Sequence, residues 1–256
     1  MNRPATTAPS QALAGKWVLI TGAAKRIGAC IARTLHENGA NIAIHYRGSA
    51  DAAEQLAAEL NNARPDSAIT VQADLLDTQR LAGLVDEVVA HAGRLDVLLN
   101  NASTFYPTPL DEVTEQDWDD LLGTNLKAPL FLSKAAAPHL RKSQGMIINI
   151  VDIHAQRPLR NHPVYGPAKA ALGMLTRSLA RDLAPEVQVN GVSPGAILWP
   201  EDGMDSQTEQ VILKQVPLKR TGEPADIAST ILFLVKDAPY ITGQIIAVDG
   251  GRSIGW

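Results

Sequence analysis

The sequence predicts one α/β domain built on a doubly wound, seven-stranded parallel sheet with helices on both faces. Strand patterns and helix patterns alternate from Lys16 to the end of the chain, and this alternation is typical of βαβ units. Several strand segments are continuously apolar, as expected for strands that are covered on both faces. Because no linker or internal repeat interrupts the pattern, we expect a flexible tail over residues 1–13 and a single domain over residues 14–256.

The predicted strands are short runs of aliphatic and β-branched residues with turn residues at their ends. In a doubly wound sheet, right-handed crossovers place the first strand near the middle. The ligand site then lies at the carboxyl ends of the strands, where the strand order reverses. The seven predicted strands are Trp17–Thr21, Asn41–Tyr46, Ala68–Ala73, Leu95–Asn100, Gly145–Asp152, Val187–Val192 and Gln244–Val248.

The predicted helices lie between the strands and carry apolar residues at helical spacing. The first stops at Gly39 and the second before Arg64-Pro65, since glycine and proline end helices, and the fourth has to accommodate Pro129. A substrate flap is expected over about residues 197–216. The predicted helices are Arg26–Asn38, Ala50–Asn62, Thr78–His91, Glu115–Leu140, Tyr165–Leu183, Ser206–Gln215 and Pro224–Val235.

Composition excludes several classes of protein. The chain has 256 residues, 45% hydrophobic and 20% charged, with a formal net charge of −4. Its 23 basic residues are dispersed, so nothing indicates binding to nucleic acid or to a membrane surface. No apolar run reaches the roughly 18 residues of a membrane span, and the first residues lack a secretory signal. The single cysteine, Cys30, excludes an internal disulfide and a cysteine-based zinc site; we expect a cytoplasmic protein without a metal centre.

A glycine turn, T-G-A-A-K-R-I-G over Thr21–Gly28, follows the first strand and opens the first helix. Gly22 permits a tight turn and Gly28 a close approach of helix and strand, so the amides at the helix start can face a pyrophosphate. Arg26 occupies the place of the usual middle glycine and can reach a phosphate with two hydrogen bonds. We expect Gly22, Lys25, Arg26 and Ile27 to bind a dinucleotide; the alternative is a plain connection.

The end of the second strand lacks the carboxylate that would accept a hydrogen bond from a ribose 2′-hydroxyl and repel a 2′-phosphate. No acid occurs there before Asp51. The polar residues that stand at this strand end instead are expected to form an anion site that favours NADPH over NADH. The alternative is a solvated polar loop. The predicted contacts at this strand end are His45, Tyr46, Arg47 and Ser49.

The third and fourth strands also end in polar residues. Asp74, followed by Leu75, can accept from an adenine amino group. Asn101, Ala102 and Ser103 come directly after the fourth strand, where Asn101 can stabilise the sheet edge beside the cofactor. Asn125 follows in the next helix, with a structural role and a proton-relay role both open.

The stretch from Met146 to Lys169 carries the predicted acid–base chemistry. A buried strand ends at Asp152, and Tyr165 and Lys169 are four residues apart, so that the phenol and the ammonium share a helix face. A nearby ammonium favours phenolate, so we expect a lowered pKa for Tyr165 and a usable proton donor near neutral pH. Pro167 places Tyr165 at the helix start. The alternative for Tyr165 and Lys169 is that they lie on a solvated helix face, and the alternative for Asp152 is a solvated acid at the end of a strand.

These motifs together resemble the short-chain dehydrogenase/reductase family from Gly15 to Gly251. The resemblance rests on T-G-x-x-x-x-x-G, N-N-A-S, Y-x-x-x-K and V-N-G-V-S-P-G. Two departures, Arg26 in the glycine turn and Asp152 where most members keep a serine, look like pteridine reductases. So do T-G-A-A-K-R, I-H-Y-R, S-A-I-T-V-Q-A-D-L, N-N-A-S-T-F-Y-P-T-P-L and Y-I-T-G.

The resemblance implies a role for each matching residue. Tyr165 and Lys169 match the catalytic pair, with Lys169 also holding the nicotinamide ribose, and Asp152 matches the carboxylate that works with the tyrosine. Phe105 matches the aromatic ring that stacks on a pterin; its alternative role is core packing. The remaining matches are Ser103 and Arg26, which contact cofactor phosphate and pterin, and Pro194 and Gly195, which border the nicotinamide amide.

Three functions follow from the sequence. The first is NADPH-dependent reduction of oxidised or dihydro-pterins, with dihydromonapterin and dihydrofolate as further candidate substrates. The second is reduction of 3-oxoacyl thioesters or ketones, and the missing serine counts against it. The third is a nucleotide-sensing protein without catalysis. The resemblance also implies a homotetramer built on the helices Glu115–Leu140 and Tyr165–Leu183. We expect the terminal Trp256 to dock on a neighbouring subunit.

Overall fold

All seven predicted strands form one parallel sheet in the order β3-β2-β1-β4-β5-β6-β7, which confirms the predicted fold class. The structure is a computed structural model and describes residues 11–198 and 205–254. The order reverses between β1 and β4, where the chain crosses from one half of the sheet to the other. The strands are β1 Trp17–Ile20, β2 Asn41–Tyr46, β3 Ala68–Gln72, β4 Val97–Asn100, β5 Met146–Ile150, β6 Gln188–Pro194 and β7 Ile245–Val248.

Helices cover both faces of this sheet. Within residues 11–198 and 205–254, none is both long enough and apolar enough to cross a bilayer. The predicted Ser206–Gln215 helix is found with the same bounds, while residues 199–204 of the predicted flap and Trp256 lie outside the described residues. The helices are α1 Arg26–Glu37, α2 Ala50–Ala63, α3 Leu81–Ala92, α4 Glu115–Leu122, α5 Ala128–Ser143, α6 Tyr165–Asp182, α7 Ser206–Gln215 and α8 Pro224–Asp237.

The predicted helix over Glu115–Leu140 is present, but it contains a π-helical turn over Gly123–Lys127 that separates α4 from α5. Pro129 lies in the first turn of α5, a position that proline tolerates. A capping box between Thr114 and Asp117 begins α4, since each side chain bonds the other residue's amide.

Two apolar clusters lie on opposite faces of the sheet. Alternate residues of a strand contribute to different clusters: Val18 and Ile20 belong to the cluster under α1, α2 and α8, and Leu19 to the cluster under α3 and α5. Both sets of β1 side chains are therefore buried, as the continuous apolar run predicts.

Leu13, the last residue of the predicted tail, packs onto the domain. It is only 1% exposed and belongs to the cluster under α1, and its amide donates to the carbonyl of Asn38 at 2.9 Å. Residues 1–10 of the predicted tail lie outside the described residues.

A buried polar network ties the middle of the sheet to α6. Asn149 of β5 is fully buried; its Oδ1 accepts from Asn100 Nδ2 at 2.8 Å and its Nδ2 donates to Thr176 Oγ1 at 2.9 Å. Buried polar groups are costly unless they are paired, so this network fixes how α6 sits against β4 and β5. It thereby fixes the position of the helix that begins with Tyr165.

Candidate active site

A cavity of about 510 Å³ lies at the carboxyl ends of β1 to β4. Most of the predicted cofactor contacts line it, and they come from four separate stretches of the chain. Lys169, Pro194 and Gly195 are not among its lining residues. The predicted contacts that line it are Gly22, Lys25, Arg26, Ile27, His45, Tyr46, Arg47, Ser49, Asp74, Leu75, Asn101, Ala102 and Ser103.

The glycine turn has no room for side chains at its two key positions. Gly22 has φ of 61°, a conformation that glycine adopts without strain. A Cβ on Gly28 would lie 2.4 Å from the carbonyl oxygen of Gly22 and 2.9 Å from the Cα of Ala23. Arg26 has φ of 53°, so an arginine here takes the backbone conformation for which glycine is the usual residue.

Asn101 and Thr21 lock the turn to the end of β4. Asn101 Nδ2 donates to the carbonyls of Thr21 at 2.8 Å and Gly22 at 3.0 Å, and Thr21 Oγ1 accepts from the amides of Asn101 and Ala102. Asp74 stays close to its own backbone, because its Oδ1 accepts from the amide of Leu76 at 3.0 Å. The floor of the cavity is therefore held by hydrogen bonds between strand ends.

His45, which is predicted to contribute to an anion site, lines the cavity but has its ring turned inward. The side chain is 2% exposed, and its two ring nitrogens bond the amide of Gly22 and the carbonyl of Ala73, each at 3.1 Å. Burial lowers the pKa of His45 to about 4, so the imidazole is neutral at physiological pH. Lys25, Arg26 and Arg47 supply the positive charge among the lining residues.

The predicted catalytic side chains Asp152 and Tyr165 are in contact. Asp152 follows β5; its Oδ2 accepts from the Tyr165 hydroxyl at 2.8 Å and its Oδ1 from the amide of His154 at 2.8 Å. Lys169 is 1% exposed and donates to the carbonyl of Ile150 at 3.0 Å, with its Nζ 5.7 Å from the centroid of the Tyr165 ring. α6 begins at Tyr165, as the position of Pro167 predicts.

The predicted lowering of the Tyr165 pKa is wrong. Burial raises this pKa well above its usual value, and the charge and hydrogen bond of Asp152 raise it further; the hydroxyl of Ser103 acts in the opposite direction. The carboxylate of Asp152 is hydrogen-bonded to the phenol, whereas the ammonium of Lys169 lies 5.7 Å from the centroid of the ring. Burial also lowers the pKa of Lys169 to about 8, although Asp152 opposes this shift. Tyr165 is therefore a neutral phenol that donates to Asp152.

Phe105 lies beside this pair with a partly open ring. It is 53% exposed, which rules out core packing, and its edge-to-face contact with Tyr165 has a centroid distance of 4.8 Å. The imidazole of His162 stacks on it at 4.8 Å with an interplanar angle of 15°. Sequence reasoning missed His162; its place three residues before Tyr165, in the turn that leads into α6, is the signal that could have indicated it.

Asn125 has a structural role. It is fully buried in the π-helical turn, and its Nδ2 donates to the carbonyls of Thr104 and Leu121, each at 2.9 Å. Its Oδ1 accepts from the hydroxyl of Ser103 at 2.7 Å. The Asn125 side chain thus holds the loop after β4, which carries Ser103 and Phe105, against the π-helical turn between α4 and α5.

Pro194 ends β6 on the same edge of the sheet, and Gly195 follows it. Pro194 pairs with Val248, and the amide of Gly195 donates to the carbonyl of Val248 at 3.0 Å. A Cβ on Gly195 would lie 2.6 Å from the Cβ of Asp249, so the glycine is needed for packing against the end of β7. Arg252, just beyond, feels the charges of Asp152 and Asp249, which oppose the lowering of its pKa by burial.

Comparison with known proteins agrees with this geometry. The family model described as enoyl-(acyl carrier protein) reductase matches residues 22–253. The chain belongs to the short-chain dehydrogenase/reductase family. Members of this family are oxidoreductases that use NAD(P)H, so this chain is an NAD(P)-dependent reductase of that family.

Two kinds of relative stand at similar distance from this short-chain dehydrogenase/reductase. Pteridine reductase 1 of Leishmania tarentolae is 40% identical over an alignment of 290 residues, which covers 97% of this chain and 99% of that protein. The 3-oxoacyl-(acyl-carrier-protein) reductase FabG of Staphylococcus aureus is 39% identical over 240 residues, covering 92% and 97%. The enzyme of the same name from Staphylococcus epidermidis is 38% identical, covering 92% and 98%.

We predict that Gly28→Ala weakens binding of NADPH and NADH to this short-chain dehydrogenase/reductase by at least about tenfold, or 1.4 kcal/mol. The added Cβ meets backbone atoms that have no room to move away. Gly83→Ala in α3 is the matched control, because nothing lies within 4 Å of its Cβ and alanine favours a helix. Fluorescence titration measures the affinity, and wild-type affinity in Gly28→Ala would contradict the prediction.

Proposed function

We propose that the protein is an NADPH-dependent pteridine reductase that reduces a ring C=N bond of oxidised or dihydro-pterins to the tetrahydro form. The hydrogen bond from Tyr165 to Asp152 carries this proposal. A carboxylate beside the catalytic phenol suits a substrate with ring N–H and amino groups, which donate hydrogen bonds, better than a neutral ketone. The likeness to a pteridine reductase over almost the whole chain supports it.

The residues around the cavity fit a dinucleotide with a 2′-phosphate. The packed glycines leave the helix start open to a pyrophosphate, and Lys25, Arg26 and Arg47 supply positive charge beside Ser49. Among the described residues that line this cavity, Asp74 is the only acid, and it follows β3 rather than β2, so it is not at the strand end where a carboxylate would repel a 2′-phosphate. When bound, the reduced nicotinamide supplies the hydride.

The chain's own residues supply the proton and stabilise the charge that remains after it is transferred. Tyr165 is the donor, and its phenol is held in place by Asp152. Loss of the proton would leave a phenolate 2.8 Å from a carboxylate, which is unfavourable unless positive charge or a second proton compensates. The ammonium of Lys169 faces the ring and provides that charge. The role of Asp152 is therefore to accept from the substrate and to orient Tyr165.

Phe105 completes the proposed binding site. Its ring meets the Tyr165 ring nearly at a right angle and stacks with the imidazole of His162, and it remains 53% exposed. A flat heterocycle would stack on the part of the ring that His162 leaves exposed, next to the proton donor. This arrangement is matched to the shape of a pterin, whereas a flexible acyl chain needs no stacking plane.

The second candidate function is reduction of 3-oxoacyl thioesters or small ketones. The two staphylococcal relatives and the family model favour it. Asp152 at the serine position speaks against it, because a carboxylate does not donate a hydrogen bond to a ketone oxygen while ionised.

A substrate panel separates the two functions. Purified protein is incubated with NADPH or NADH and with dihydrobiopterin, dihydromonapterin, dihydrofolate or an acetoacetyl thioester, and cofactor oxidation is followed by absorbance. We expect NADPH to be consumed with at least one pterin or folate, and more slowly with the thioester. Turnover of the thioester alone would establish the second candidate, and a preference for NADH would overturn the cofactor assignment.

We predict that Asp152→Ser lowers kcat for pterin reduction by at least about 100-fold, the usual effect of losing an acid–base partner. NADPH affinity stays within about twofold of wild type, because Asp152 does not line the dinucleotide cavity. Asp86→Ser, an exposed acid on α3, serves as the control and leaves both quantities unchanged. Pterin reduction at the wild-type rate in Asp152→Ser would remove Asp152 from the mechanism.

We predict that kcat/KM for the pterin falls as the pH rises through about 8. Lys169 carries its charge below the pKa of about 8 and loses it above, and the phenolate of Tyr165 then has no compensating cation. Tyr165 adds no step of its own in this range, because its pKa is raised well above the usual value. A pH–rate profile that stays flat from pH 7 to pH 10 would show that the ammonium is not required.

We propose that the protein assembles as a homotetramer through its exposed helices. Large apolar side chains are exposed on α4, α5 and α6: Trp118 at 52%, Leu130 at 40% and Met174 at 60%. β7 also has a strand neighbour on one side only. We expect the mass of four chains by light scattering and a smaller assembly for Met174→Glu, with Val211→Glu on α7 as the control. A wild-type mass of one chain would refute the proposal.

A further inference from the structure

His45 is the buried side chain that joins the glycine turn to two strands. It is the fifth residue of β2, and its Nδ1 lies 3.1 Å from the amide nitrogen of Gly22, while its Nε2 lies 3.1 Å from the carbonyl oxygen of Ala73 after β3. Its own backbone carbonyl accepts from the amide of Ala23 at 3.0 Å. One residue therefore takes up two consecutive amides of the turn.

These partners fix the tautomer of the imidazole. An amide N–H only donates and a carbonyl only accepts, so Nδ1 carries the lone pair and Nε2 carries the proton. A second proton on Nδ1 would point at the Gly22 N–H and break that contact. Burial lowers the pKa of His45 to about 4, against the opposing influence of the Ala73 bond and of Asp74.

His45 accepts hydrogen bonds from two amides of the glycine turn. The amides of Gly22 and Ala23 donate to its ring and to its backbone carbonyl, so they are not free to bind an anion. The first amides of an α-helix have no intrahelical acceptor, so the start of α1 is where a pyrophosphate would bind. Because the turn is shaped by internal bonds, little ordering is left for the moment of binding.

We propose that His45 is a positioning residue for the dinucleotide: its neutral imidazole bridges the Gly22 amide and the Ala73 carbonyl and holds the turn in its binding shape. The inference rests on the dinucleotide part of the proposed function and is independent of the pterin. No atom of His45 needs to touch the cofactor for this role.

The test compares three substitutions at His45. Asn retains an acceptor near the position of Nδ1, Gln extends toward Ala73, and Leu fills the space with neither hydrogen bond. We expect His45→Leu to raise the Kd for NADPH at least about tenfold, the effect of 1.4 kcal/mol, by leaving the Gly22 amide unpaired. We expect His45→Asn to recover most of this loss, and kcat at saturating NADPH to change less than about threefold in all three.

His36→Asn is the matched control. His36 is also buried, with a pKa lowered to about 4, and its Nε2 bonds Ser67 Oγ at 2.7 Å, but it does not line the dinucleotide cavity. Its replacement should lower Tm and leave the Kd for NADPH unchanged. Equal affinities of wild type and a folded His45→Leu variant would overturn the inference.

A second readout needs neither cofactor nor substrate. In ¹⁵N spectra of the apo protein, with the His45→Asn variant used for assignment, Nδ1 of His45 should show a pyridine-like shift and Nε2 a pyrrole-like shift. Neither should titrate between pH 5 and pH 8. The opposite tautomer, or titration near neutral pH, would reject the bridge even if His45→Leu fails to fold. If wild type binds neither NADPH nor NADH, the proposed function fails, while these spectra still decide the state of His45.

Discussion

Parallel pairing of β1 with β4 is the constraint on which the candidate site depends. The register joins Ile20 to Leu99, so the two strands end within one residue of each other. Thr21 and Asn101, the next residues beyond each strand, can then exchange hydrogen bonds and close the floor of the cavity. A shift of register would separate them and leave buried polar groups unpaired, at a cost of about 1–3 kcal/mol each. The same edge extends through β5, where Asp152 follows.

The fold was predictable because its signals are local and repeated. Continuous apolar runs and intervening helical spacing identify every strand, and Gly39 ends the first helix within two residues of the prediction. The π-helical turn over Gly123–Lys127 was the exception. Such a turn leaves the apolar spacing almost unchanged, so the periodicity of the sequence does not reveal it. Leu13 was missed for another reason: a single apolar residue in a polar segment gives no pattern, although its neighbours in space bury it.

The sequence predicted which residues of the candidate site lie near one another, but not their electrostatics. Motif spacing brings Asp152, Tyr165 and the cavity residues to one edge, because the ends of parallel strands meet there. The pKa of Tyr165 is raised first by burial and then by the contact with Asp152, and spacing along a helix measures neither burial nor that distance. His45 and His162 show the same limit: one was expected at an anion and is turned inward, and the other stacks on Phe105 from a loop that carries no helical or strand pattern.

The π-helical turn between α4 and α5 has a consequence for the tolerance of this chain to insertions and deletions. The amide of Ala128 donates to the carbonyl of Gly123, five residues back, so the turn holds one residue more than an α-helical turn. Removing one residue there would restore a continuous helix but rotate α5 by about 100° about its axis. Leu132 and Leu140 would swing out of the cluster under the sheet, and Asn125 would lose its place beside Thr104. Length changes in this stretch should therefore be far less acceptable than in the exposed connections between other elements.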